Sequence, residues 1–296
     1  MRALLFPGQG SQKVGMGAAL AATNAAARRV YEEADEVLGE KLSRVCWEGP
    51  EADLVLTANA QPAILTTSIA VLRAMETPPD FGAVAGHSLG EWSALVAAGA
   101  IRFGDAVRLT RLRGRAMQEA VPAGTGAMAA LLGLAADVVD AVCAEAAEGQ
   151  IVSAANLNGA GQVVIAGHKA AVERAMALAR ARGAKRAVPL AVSAPFHCAL
   201  MAPAAERLAA ALADAAVADP SVPVVHNVDG RPNRDGARVK ELLIKQVTAP
   251  VRWEACVQTL ASLGASEALE LGAGNVLAGL VRRIAPGIAV TSMDKV

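Results

Sequence analysis

Apolar and polar positions along this chain follow two rhythms, short apolar runs bounded by turn residues and longer stretches of helical period. Their alternation predicts an α/β protein. Residues 2–6 (RALLF) predict a first strand that ends at a Pro-Gly turn. Helices are expected over 17–38, 62–75 and 104–120. The last of these carries Arg108, Arg111, Arg113 and Arg115, which cannot all be buried. From residue 128 the order becomes strand (128–132), helix (136–147), strand (151–156), strand (162–166), helix (169–182) and strand (185–190). This is the split order of a ferredoxin-like unit, short enough to be an insertion in a larger fold. The alternation resumes with a helix from 199, strands near 223–226 and 267–271, and a helix over 276–284.

One junction in this pattern carries chemistry. Ala83-Val84-Ala85 runs straight into Gly86-His87-Ser88-Leu89-Gly90, and a helix-compatible stretch leaves it over 91–98. Strand, tight turn and helix in that order make a nucleophile elbow, which lifts a serine hydroxyl to the top of a sheet beside a helix N-terminus. A sharp turn forces strained backbone angles and close strand-to-helix approach leaves no room for a Cβ, so each glycine has a mechanical reason. Ser88 is the candidate nucleophile. A serine hydroxyl is weak until a base takes its proton, and the chain offers four histidines. His87 adjoins Ser88, where neighbouring side chains diverge, and fits a packing or hydrogen-bonding role. His168 opens a helix as a surface cap, and His226 ends a strand. His197 stands in the irregular apolar loop Ser193-Ala194-Pro195-Phe196-His197, where the inserted unit hands back to the main sheet. Clefts form at such junctions, which makes His197 the candidate base.

Two further segments suit a site. In Phe6-Pro7-Gly8-Gln9-Gly10-Ser11-Gln12, a Gly-flanked residue can turn its backbone N–H toward an incoming oxygen. A dinucleotide loop fits this segment poorly, because Lys13 stands where the third glycine belongs. Arg113 offers a planar guanidinium able to grip a carboxylate through two hydrogen bonds.

Composition narrows the class. With 296 residues, 54% of them hydrophobic, the chain can bury one large core or a core plus a small inserted domain. Its 28 basic and 28 acidic residues give no electrostatic case for nucleic acid. The uncharged stretches 54–72 and 187–205 are interrupted by proline and polar residues, so neither is expected to span a membrane. The apolar run at the N-terminus is too short for a signal peptide, and a cytoplasmic location is expected. Cys46, Cys143, Cys198 and Cys256 lack the spacing of a zinc or redox site and are expected to be reduced, buried thiols.

Taken together, these segments resemble the malonyl-CoA:acyl carrier protein transacylase family along essentially the whole chain. The matching pieces are Phe6 to Gln12, Gln61-Pro62-Ala63, Gly86 to Glu91, Arg113-Gly114 with Met117-Gln118, Gly124 to Met128, Asn156 to Gly167, Phe196-His197 and Asn227-Val228-Asp229. The resemblance implies a hydrolase-like α/β core with a parallel sheet and an inserted ferredoxin-like small subdomain. The expected division is 1–124 with 195–296 for the large part and 125–194 for the small one. It further implies a Ser88–His197 dyad, an oxyanion hole from the backbone N–H groups of Gln9 and Leu89, and Arg113 as carboxylate clamp. Gln61, Met117 and Phe196 then line the substrate site, with Phe196 crowding any branch at the malonyl α-carbon. Gln246 looks like the residue whose backbone carbonyl orients His197, its side chain being dispensable.

The implied reaction moves a malonyl group from malonyl-CoA to the phosphopantetheine thiol of acyl carrier protein, for fatty acid synthesis, with no permanently bound cofactor or metal. A discrete acyltransferase serving a polyketide synthase would share every residue named. A serine esterase or thioesterase shares the elbow, but its histidine normally lies near the C-terminus, whereas about a hundred residues follow His197 here. A non-catalytic carrier-binding module would need neither Ser88 nor His197. For an acidic carrier protein, the doublets Lys185-Arg186 and Arg282-Arg283 are the candidate docking patch, and a monomer is expected.

Overall fold

Strand β1 (Arg2–Phe6) is apolar at every position after Arg2 because it runs through the middle of a sheet with both faces covered. Its side chains alternate between two cores: Leu4 and Phe6 join one, Ala3 and Leu5 the other. The structure, a computed structural model, describes residues 1–76, 79–192 and 194–294.

Where one helix is expected over 17–38, two are found, α1 (Ala18–Thr23) and α2 (Ala25–Leu38). Asn24 breaks them apart in an extended conformation, and its Oδ1 accepts from the N–H groups of Ala26 and Ala27, capping α2. Helices α3 (Leu42–Glu48) and α4 (Glu51–Leu54) follow. Helix α5 (Thr57–Ala74) starts at Thr57 rather than 62 and carries Pro62 within it. Next come β2 (Ala83–Gly86), α6 (Gly90–Ala97) and α7 (Phe103–Glu119). Of the four arginines on α7, Arg111 and Arg113 are buried, and Arg108 and Arg115 are exposed.

The middle of the chain forms β3 (Gly126–Leu132), α8 (Ala136–Ala147), β4 (Val152–Leu157), β5 (Gln162–His168), α9 (Lys169–Ala181) and β6 (Arg186–Pro189). These strands make an antiparallel sheet in the order β4-β5-β3-β6, the ferredoxin-like arrangement, over a core of its own that includes Leu131, Val142, Ile165 and Val172. His168 does precede α9, but its side chain makes no cap; its Nδ1 accepts from the Ile151 N–H at 2.9 Å.

After β6 a 3₁₀ turn at Ala199–Met201 leads into α10 (Ala202–Ala213). Then follow β7 (Val224–Val225), β8 (Pro232–Asn233), α11 (Gly236–Thr248), α12 (Trp253–Ser262), β9 (Glu267–Leu271), α13 (Val276–Ile284) and β10 (Ala289–Met293). The large sheet runs β10-β9-β1-β2-β7-β8, parallel throughout except for β8. Glu270 of β9 is buried because its carboxylate accepts from the Leu277 and Ala278 N–H groups at the start of α13. Among the described residues no helix is long and apolar enough to cross a membrane.

All four cysteines are free and buried. Burial pushes the thiols up, to about 12 for Cys46 and Cys143 and about 11 for Cys198, and raises Cys256 as well.

Candidate active site

The C-terminal ends of β1 and β2 lie side by side, Phe6 beside Gly86, so the Pro-Gly turn and the elbow meet at one edge of the sheet. Close backbone approach explains the glycines. A Cβ on Gly86 would run into the Gly90 backbone, one on Gly90 into the Phe6 carbonyl, and one on Gly8 into the His87 carbonyl. Ser88 sits at φ 51°, a left-handed conformation that a non-glycine residue adopts only when its surroundings impose it. Those surroundings include Asn227, just after β7, whose Oδ1 accepts from the Ser88 N–H at 2.7 Å while its Nδ2 donates to the Gly86 carbonyl at 2.8 Å.

His197 lies 2.7 Å from Ser88 Oγ through Nε2. It too holds a positive φ, 59°, and is 3% exposed. Its Nδ1 faces the backbone carbonyl of Gln246 at 2.8 Å. A carbonyl only accepts, so Nδ1 carries the proton, and Nε2 presents a lone pair to the serine hydroxyl. Burial, helped by the nearby charge of Arg113, pushes His197 down to about 3. Such a ring is neutral at physiological pH and free to take a proton. Ser193, at the head of the same loop, lies outside the described residues. Gln9 and Leu89 line the same cavity as Ser88, and among the described residues neither backbone N–H has a hydrogen-bond partner.

Arg113 is 1% exposed, yet among the described residues no carboxylate lies within ion-pair distance of it. Nη1 donates to Gln61 Oε1 at 2.7 Å; Nη2 donates to Gln246 Oε1 at 3.0 Å and to Ser88 Oγ at 3.3 Å. Among the described residues its Nε has no hydrogen-bond partner. A Cβ on Gly114 would collide with the Thr57 backbone, so the next residue along α7 lets that helix press against α5 and brings Arg113 to Gln61. Gln61 also contacts Met117 Sδ, and Met117 and Phe196 line the same cavity of about 440 Å³ as Ser88, His197 and Arg113.

The acyl transferase domain family matches residues 3–283. Malonyl CoA-acyl carrier protein transacylase of Escherichia coli K12 is 48% identical over 295 residues, 99% of this chain and 96% of its own length. This chain belongs to the malonyl CoA-acyl carrier protein transacylase family. The crystal structure of an acyl carrier protein S-malonyltransferase from Vibrio cholerae superposes with a TM-score of 0.95 at 48% identity, covering 100% of this chain and 97% of that one. A malonyl-transacylase solved in complex with its type II PKS acyl-carrier protein gives 0.95 at 46% identity, covering 100% and 96%.

Beyond the residues expected from the sequence, this transacylase-family site contains a buried polar layer beneath Ser88, the candidate nucleophile. Glu91, His226, Asn227 and the side chain of Gln246 are all fully buried. The Gln246 side chain is not idle, as the sequence reading has it: it accepts from Arg113 and donates to the Ser88 carbonyl at 3.1 Å and to Glu91 at 3.0 Å. His226 donates to Glu91 through Nδ1. His87 bonds Asn158 at 3.0 Å and packs against the Trp253 ring, away from the serine hydroxyl. The two basic doublets, 97 residues apart in sequence, approach one end of the small sheet. Leu132 pairs with both Gln162 and Arg186, and Arg283 donates to the side chain of Gln162. All four basic residues are exposed.

Proposed function

We propose that this chain transfers a malonyl group from malonyl-CoA to the phosphopantetheine thiol of acyl carrier protein, through a malonyl-serine at Ser88, supplying fatty acid synthesis. The observation that carries the reading is Arg113: a buried guanidinium with no ion-paired carboxylate among the described residues, hydrogen-bonded to the Ser88 hydroxyl. A substrate with a carboxylate one methylene from its reacting carbonyl satisfies both groups at once. Ser88 Oγ attacks the thioester carbonyl as His197 Nε2 takes its proton. The oxyanion is met by the Gln9 and Leu89 N–H dipoles, a contribution of about 3 kcal/mol per donor. Collapse breaks the C–S bond, and the proton on His197 goes to the departing coenzyme A thiol. The carrier thiol then gives its proton to His197 and attacks the serine ester; collapse breaks the C–O bond to Ser88 and His197 returns the proton to Ser88 Oγ, so the cycle is ping-pong. Base, oxyanion donors and clamp all come from this chain, and the proposal calls for no resident metal or cofactor.

An uncharged acyl group leaves the buried guanidinium unfilled, which favours malonyl over acetyl. Phe196 narrows the space beside the malonyl α-carbon and disfavours a methyl branch. The chain is proposed to act as a cytoplasmic monomer, with 125–194 as the small subdomain and the rest as the large one. Incubation with malonyl-CoA alone is expected to add one malonyl mass to the peptide containing Ser88; an adduct mapping to Cys198 would sink the assignment. Parallel transfer assays with fatty acid and polyketide carrier proteins distinguish the two pathways.

For docking, the exposed patch of Lys185, Arg186, Arg282 and Arg283 supplies local positive charge that the neutral net charge does not. It connects to the cavity wall through Gln162, Asn158 and His87. Reversing all four to Glu is expected to weaken use of the carrier protein about tenfold or more at low salt, and less at high salt, while sparing acylation of Ser88. Equal loss in both half-reactions would place docking elsewhere.

A further inference from the structure

Glu91 lies on the first turn of α6, three residues after the nucleophile, with no exposed surface. Among the described residues no lysine or arginine touches it. Its Oε1 accepts from His226 Nδ1 at 2.7 Å; its Oε2 accepts from the Asn227 N–H at 2.8 Å and from Gln246 Nε2 at 3.0 Å. Among the described residues the other ring nitrogen of His226, Nε2, has no hydrogen-bond partner, so the ring reaches this layer through its bond to Glu91 alone. A carboxylate held this way is an acceptor on every side. Buried charge is costly unless another charge answers it.

The answering charge is Arg113, reached through a single amide. Gln246 gives its NH₂ group to Glu91 and its Oε1 to Arg113 Nη2. A carboxylate can only accept, so Glu91, together with the Ser88 carbonyl and Asn227 Oδ1 that accept from the same NH₂ group, fixes which way that amide points. The reversed amide would aim N–H groups at the guanidinium and an oxygen at the carboxylate, losing both bonds. Glu91 also favours the charged form of Arg113, against the burial that opposes it. A carboxylate placed directly on the guanidinium would provide the same counter-charge but would fill the face that a substrate carboxylate needs.

We infer that Glu91 is the positioning residue of the carboxylate clamp: acting through the Gln246 amide, it supplies the counter-charge of Arg113 and aims the guanidinium while leaving its substrate face open. The inference rests on Arg113 gripping the malonyl carboxylate. Its consequence is specific to substrates that carry a carboxylate. Glu91 also helps to hold Asn227 through its backbone N–H, but that contact serves every acyl group alike.

The test compares second-order rates of Ser88 acylation by malonyl-CoA and by acetyl-CoA, read as intact mass in single-turnover experiments. Glu91→Gln keeps the side-chain shape and removes the charge. Both rates are expected to fall, and the malonyl-to-acetyl ratio to drop at least tenfold. Glu91→Asp, which keeps the charge, is expected to recover much of the ratio. An equal fall for both substrates, or no change in either, overturns the inference, since a purely structural residue would not discriminate between them. Should Glu91→Gln not fold, Gln246→Met breaks the amide link while retaining Glu91 and the backbone carbonyl that meets His197. The same tenfold drop is expected there, and an unchanged ratio counts against the relay. Arg113→Ala is run alongside. If it leaves the ratio unchanged, the clamp reading itself fails; if it collapses the ratio and the Glu91 and Gln246 variants do not, the relay alone fails.

Discussion

Replacing His197 with alanine is expected to slow malonylation of Ser88 by about 10³-fold, near the middle of the range for loss of a positioned general base. The hydroxyl then has no acceptor for its proton on the side His197 occupies, 2.7 Å away. Rapid-quench measurement of the acyl-enzyme checks the size of the loss. The wild-type pH profile carries a second expectation. Burial holds His197 down at about 3, so its basic form is fully present above roughly pH 5 and is lost only as the pH falls through that value. Acylation should therefore be flat from about pH 5 to 8, with no break near the 6.5 of an unperturbed histidine. A clear break there would mean that the ring is solvated. The same shift acts on stability with a definite sign: below 6.5 the unfolded chain takes up a proton that the folded one refuses, so this group works against the fold increasingly as pH falls toward 3.

Arg113→Ala is expected to lower kcat/KM for malonyl-CoA by roughly 10²- to 10³-fold, the scale of about 2–5 kcal/mol for truncating one partner of a buried charge pair. Transfer of uncharged acyl groups should persist or rise, because Ser88, His197 and the backbone donors are untouched. Competition between malonyl-CoA and acetyl-CoA reads the switch in one assay. Unchanged malonyl kinetics in a folded variant would refute the clamp.

The parts of this molecule legible in its sequence are those where local geometry leaves one solution. Gly86 and Gly90 announce the elbow because no Cβ fits there, and Leu4 to Phe6 announce a central strand because both faces are covered. Helices α11 and α12 are absent from the sequence reading although their periodicity is plain: Val239, Leu242, Leu243 and Val247 are buried on one, Trp253, Cys256, Val257 and Leu260 on the other. Gln246 falls within the first of those apolar stripes, and a polar residue there was a signal of buried function. Short or peripheral pieces gave less to read. Strand β8 has two residues, and the edge strand β10 keeps no fully buried position. Asn24 breaks a helix through a cap that a continuous polar-apolar pattern does not reveal. Glu91 was the least legible, because a glutamate in the first turn of a helix ordinarily faces water. Only strands and helices distant in sequence bring it its three donors.

The buried cysteines acquire a meaning once the substrates are thioesters. Any accessible thiolate is an acceptor for an activated acyl group, so a catalyst of thioester exchange that displayed one would compete with its own carrier and accumulate dead-end acylated forms. Here Cys46, Cys143, Cys198 and Cys256 are withheld on two counts, access and ionisation, even though Cys198 adjoins the base. The chain is in effect insulated from the chemistry it conducts, and while folded it should be equally indifferent to alkylating agents and mild oxidants.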